Sequence, residues 1–282
     1  MQTNLIDTHQ HLLDSGRFSY GWTKDFPALQ GMLALEEYRT AAAGLPIDGT
    51  VFMEVDVNAG QSAREASYFC KLAEDPDNRI LGVVAAARPE HPGFEESLDE
   101  IAHPKLKGIR RVLHTQPDEI SQSSLFRKNI ASLAGRNLTC DLCFLERQLP
   151  IAIALVDGCP ETQFVLDHCG VPDIAANAPE FWRGQINELA KRPNVACKIS
   201  GILVYAGATQ RTAKGVLPWF SHVVESFGWE RLVWGGDWPV CTLAEPLAEW
   251  VTVTHDLLDL VAATSAQRDG LLHANAKHIY GL

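Results

Sequence analysis

The chain has 282 residues, of which 46% are hydrophobic and 21% charged, enough apolar material for a sizeable core. A formal net charge of -11 excludes the clustered basic surface on which nucleic-acid backbones are held. No run approaches the roughly 20 apolar residues of a membrane span, and Met1-Gln2-Thr3-Asn4 leads directly into a strand-like run without the basic segment of a secretory leader. Together these features predict a cytoplasmic protein that binds neither nucleic acid nor membrane.

In chain order, short apolar or β-branched runs occur at 5–9, 50–55, 80–86, 106–113, 139–145, 163–167, 195–199 and 231–235. They are nearly continuous rather than alternating, as parallel strands buried on both faces are. Between them lie segments of helical period at 35–43, 62–74, 123–134, 179–191, 215–227 and 244–262. Within 62–74, Ala66, Phe69, Cys70 and Ala73 share one face, and Arg64, Glu65 and Lys71 fall off it. Strands alternating with helices, no linker and a length near the roughly 250 residues of a closed barrel predict an α/β fold, a single-domain (β/α)8 TIM barrel over 1–282. An open doubly wound sheet is the runner-up.

Cysteines number seven, an odd count spread along the chain, which is not a disulfide framework. The Cys140–Cys143 spacing falls inside a predicted strand, where positions three apart face opposite ways, so it reads as structural rather than redox-active.

A barrel places its chemistry at the carboxyl ends of its strands. The polar residues expected there are His9 and His11 after the first, Glu54 after the second, Arg110 in the fourth, His168 after the sixth, Lys198 and Ser200 in or after the seventh, and Asp237 after the eighth. Two imidazoles one residue apart on a strand converge on one face, where they can hold a divalent metal or bracket a substrate oxygen. Asp237, in Gly236-Asp237-Trp238-Pro239, is placed to take a proton from water. The stretch 12–33, about twenty residues without period and rich in Gly and aromatics, is the expected lid.

The segments His9-Gln10-His11, Gly108-Ile109-Arg110, Leu166-Asp167-His168, Lys198-Ile199-Ser200-Gly201 and Gly236-Asp237-Trp238-Pro239 follow the order of the amidohydrolase superfamily. The chain resembles its lactonase-type branch, which includes L-fucono- and L-rhamnono-lactonases and 2-pyrone-4,6-dicarboxylate lactonase. The resemblance extends to Gln148-Leu149-Pro150 and Asn275-Ala276-Lys277. It implies a hydrolase opening a sugar-acid lactone, with Asp237 and His168 catalytic and the carbonyl polarised by a divalent metal or by His and Arg. Arg110, Lys198, Glu54 and Trp22 are the expected substrate contacts, and His9, His11 and Asp237 the expected ligands of one divalent ion, zinc foremost. No organic cofactor is implied, and oligomeric state is left open.

Two departures stand out. The fifth-strand run Cys140-Asp141-Leu142-Cys143-Phe144-Leu145 lacks the histidine of full metal sites, and Ile202-Leu203-Val204-Tyr205-Ala206 replaces a Thr-Glu-Ala motif of the sugar lactonases. Other readings are a pyrone-dicarboxylate lactonase, a metal-dependent decarboxylase of the same superfamily and a carbohydrate-binding barrel without activity.

Overall fold

The computed structural model describes residues 4–282; residues 1–3, the start of the stretch expected to carry no leader, lie outside the described residues. Eight strands run parallel in sequence order: β1 (Leu5–Gln10), β2 (Ile47–Met53), β3 (Ile80–Ala86), β4 (Leu106–Val112), β5 (Thr139–Cys143), β6 (Phe164–Leu166), β7 (Val195–Ile199) and β8 (Leu232–Trp234). The seam between β8 and β1 carries a single parallel bridge, Gln10 to Trp238, flanked by backbone bonds from His11 to Trp238 (2.8 Å) and from Asp237 to His9 (2.9 Å). The result is a nearly closed (β/α)8 barrel, as the spacing of apolar runs predicts. No helix among the described residues is long and apolar enough to cross a membrane.

Helices α1 (Leu35–Ala41), α2 (Ser62–Leu72), α3 (Phe94–Glu100), α4 (Ser124–Ala131), α5 (Leu149–Asp157), α6 (Glu180–Ala190), α7 (Ala213–Phe227) and α8 (Leu247–Leu260) surround the strands, and α9 (Ser265–Asp269) and α10 (Asn275–Tyr280) follow. Ala66, Phe69, Cys70 and Ala73 are buried, as their shared face requires. Glu65, expected off that face, is buried too, with both carboxyl oxygens lacking a hydrogen-bond partner. All seven cysteines are free and buried.

The barrel interior has two layers. Low in it, Ile6, Val51, Val84, Val165, Ala196 and Val233 form an apolar cluster closed by Ala276 and Tyr280 of α10. Two residues further along the strands, the inward positions become Asp167 after Val165 and Lys198 after Ala196, both buried. In β1 the alternation is interrupted. Asp7 pairs with Thr50 but Gln10 with Phe52, so β1 carries one residue more than β2. Without that bulge the parity set by Ile6 would carry His9 to the helix side; with it, His9 and His11 face the mouth.

Residues 12–33 are ordered rather than extended. Leu13 and Leu33 form an antiparallel bridge at the base. Two 3-10 turns, Gly21–Asp25 and Pro27–Leu29, lie between them, and Phe18, Tyr20 and Leu29 pack inward. The loop is tied to the segment after β2, where Ser19 N–H bonds Gln61 Oε1 at 2.9 Å and Asn58 N–H bonds the Ser19 carbonyl at 2.8 Å.

Candidate active site

His9, His11, Arg110, His168 and Asp237 meet at the carboxyl end of the barrel, each less than one tenth exposed. His9 and His11 rings stand edge to face at 4.8 Å, and His9 lies 4.5 Å from His168. Asp237 Oδ1 is 3.7 Å from both His9 Nε2 and His11 Nε2. Asp237 (φ 57°) and His168 (φ 51°) both adopt left-handed backbone, a strained choice for non-glycine residues that concentrates at functional sites. Gly201 makes the approach possible, since a Cβ there would stand 2.7 Å from His168 Nδ1 and 3.2 Å from Asp237 Oδ2.

Each imidazole is held through Nδ1. His11 Nδ1–H donates to the Met53 carbonyl at 3.0 Å, and His168 Nδ1 pairs with Ser200 Oγ at 2.9 Å. For His9, Nδ1 lies 3.1 Å from Lys198 Nζ and 3.5 Å from Asp167 Oδ1, and Nε2 lies 3.2 Å from Arg110 Nη1. A neutral imidazole has one bare nitrogen, so it cannot accept from both cations. Asp167 is the acceptor available to Nδ1–H, which leaves Nε2 bare to accept from Arg110, with Asp237 Oδ1 beyond it at 3.7 Å. Burial pushes all three imidazoles below their usual range, His168 to about 3, so they stand in the neutral, ligating form. Burial likewise raises the Asp237 carboxyl well above the carboxylate range.

The structure separates the expected substrate contacts from one another. Arg110 reaches the mouth, its Nε donating to Glu54 Oε1 at 2.7 Å and its Nη2 to the Glu54 carbonyl at 2.8 Å. Glu54 uses its second oxygen on the Asp56 N–H, 2.7 Å away, so it braces Arg110 rather than facing a ligand. Lys198 is wholly buried, bonded to Asp141 Oδ2 (2.7 Å) and 3.0 Å from Asp167 Oδ1. Trp22 is half-buried in the loop, its indole N–H donating to the Val55 carbonyl at 2.8 Å.

Asp141 and Asp167, inward on β5 and after β6, were not singled out from the sequence. Burial outweighs Lys198 to raise Asp141 to about 6, whereas Lys198 and then His9 overcome burial to hold Asp167 well below the usual range. Tyr280 Oη donates to Asp141 Oδ2 at 2.8 Å, linking α10 to this layer. Asp141 lies level with Arg110, its register partner on β4, a pairing between strands that neither run of sequence discloses.

The donor set fits a divalent ion. Among the described residues His9, His168 and Asp237 form a potential ligand group, with one atom of each within 4.8 Å of the others. The expected trio was His9, His11 and Asp237; His168 joins this group, and His11 stands beside it with its Nε2 3.7 Å from Asp237 Oδ1. Around the histidines, Arg110 pairs with Glu54 and Asp167, and Lys198 with Asp141 and Asp167.

Comparison with known proteins agrees with this architecture. The amidohydrolase family model matches residues 6–282. An L-fucono-1,5-lactonase of Burkholderia ambifaria is 32% identical over 98% of this chain and 94% of its own, and one of Burkholderia multivorans is 28% identical over 98% and 96%. A crystal structure of an amidohydrolase from Burkholderia multivorans, with zinc bound, superposes with a TM-score of 0.89 at 27% identity, covering 99% of each chain. The chain belongs to the amidohydrolase family.

Proposed function

We propose that the protein is a hydrolase that opens a sugar-acid lactone with water activated by Asp237. The observation that carries this reading is the convergence of three neutral imidazoles and a buried carboxyl on one point beside Arg110. His9, His168 and Asp237, with His11 alongside, would hold one divalent ion, and the zinc in a relative of like fold supports zinc as its identity. The ion would supply Lewis-acid polarisation of the lactone carbonyl.

The chain's own groups do the rest. Asp237, whose carboxyl burial makes more basic than usual, takes a proton from water as the oxygen attacks the carbonyl carbon. Arg110, braced by Glu54, offers its Nη protons to a substrate oxygen. When the ring C–O bond breaks, Asp237 returns the proton to the leaving alkoxide. Loop 12–33, tied beside Glu54 through Trp22 and Val55, covers the mouth and limits water access.

A neutral polyol lactone fits better than a dicarboxylate, which needs several free cations, because Lys198, Arg111 and Arg211 already have partners. Lys198 is taken by Asp141, Arg111 lies 2.8 Å from Glu90 Oε1, and Arg211 donates to the Ala206 and Ala244 carbonyls. The two fuconolactonase relatives support the same choice.

The test is acid release, followed with a pH indicator, across a panel of aldonolactones and pyrones. Turnover of at least one aldonolactone is expected, with loss on prolonged chelation and recovery on adding zinc or manganese. Turnover confined to pyrones overturns the substrate class, and full activity with no metal by elemental analysis overturns the ion.

A further inference from the structure

Three rim residues outside the reaction centre stand on neighbouring strands. Asp56 follows β2, Arg88 follows β3 and His114 follows β4, all on the carboxyl side where Arg110 emerges. Asp56 has left-handed backbone (φ 47°), fixed by its N–H on Glu54 Oε2 at 2.7 Å. Glu54 therefore grips Arg110 with one oxygen and aims Asp56 with the other. Arg88 Nη2 lies 3.7 Å from Asp56 Oδ1, too far for a hydrogen bond, and both side chains are about one third exposed (37% and 34%). His114 Nδ1 rests on Cys143 Sγ at 3.0 Å, which leaves Nε2 available. Burial, then Arg110, hold this ring below its usual range, so it is neutral and able to donate or accept.

We propose that Asp56, Arg88 and His114 form a subsite that reads ring or side-chain hydroxyls of the lactone, a specificity device separate from the groups that open it. The proposal rests on the sugar-lactone reading above. Its chemistry is that of vicinal diols, in which a carboxylate accepts from one hydroxyl and a guanidinium donates to the next. The gap of 3.7 Å between Arg88 and Asp56 leaves both groups unsatisfied by each other and open to such a ligand. Because Glu54 sets both Asp56 and Arg110, the hydroxyl read here and the oxygen held by Arg110 stand in fixed register.

The experiment is a cycle between protein and substrate. kcat/KM is measured for the wild type, Asp56→Asn and Arg88→Gln with an aldonolactone and each of its monodeoxy analogues. Asn tolerates the left-handed backbone, and Arg88→Gln carries the test alone should the first variant melt early. Each variant should lose about 10- to 100-fold on the parent lactone, but less than about 3-fold on the analogue lacking the hydroxyl it reads. An equal loss on parent and all analogues, or no loss on the parent, overturns the subsite. A wild type that opens no aldonolactone overturns the functional reading and the subsite with it, an outcome distinct from either of these.

Discussion

The lower and upper layers of the barrel interior are built on the same strands, two residues apart, yet obey opposite rules. Below, Val165, Ala196 and Val233 fill space and need nothing from their neighbours beyond contact. Above, Asp167 and Lys198 occupy the next inward positions, and every charge there depends on another group for compensation. A pleated strand thus passes from packing to chemistry in one step of its period. The charged layer also forms a continuous body from Tyr280 through Asp141, Lys198 and Asp167 to His9. An apolar layer tolerates local change, whereas a linked charged layer propagates it.

The largest effect should come from Lys198→Ala, which leaves Asp141 and Asp167 buried against each other. A stability loss of about 3–5 kcal/mol in chemical unfolding at neutral pH is expected. A loss no greater than that of an apolar truncation would break the contrast between the layers. Next comes Asp237→Asn, expected to keep its melting temperature while lactone opening falls roughly 100-fold or more. Near-normal turnover with an intact fold removes Asp237 from the chemistry. The smallest effect belongs to Val233→Ala in the lower layer. It should reduce stability by about 1–3 kcal/mol and leave kcat/KM near the wild-type value. A selective drop in kcat there would mean that the lower layer also sets the geometry above it.

All eight strands were legible in the sequence because parallel strands buried on both faces read as unbroken apolar runs. Two barrel helices were not. α5 (Leu149–Asp157) is apolar nearly all round and carries no helical period, and α3 (Phe94–Glu100) turns only Phe94 and Leu98 inward among acids. The ends of strands announced His9, His11, His168, Arg110 and Asp237. What stayed hidden was the layer behind them, since Asp141 sits inside an otherwise apolar strand and its partners are remote in sequence. For the same reason Lys198 and Glu54 read as ligand contacts, though each is claimed by protein groups that only tertiary structure brings near. The bulge that turns His9 inward is equally invisible, because it is a mismatch between two strands and not a property of either.

The barrel's seam runs through its reaction centre. Asp7 Oδ1 accepts from the Gly236 N–H at 2.7 Å across 229 positions, and the neighbouring bonds join His9 to Asp237 and His11 to Trp238. During synthesis His9 leaves the ribosome seven strands ahead of Asp237, which follows the last barrel strand. A nascent chain can therefore hold seven strands and still be chemically silent. Turnover in this molecule is a signal of ring closure, and activity regained on refolding should clock the docking of the eighth strand rather than earlier collapse.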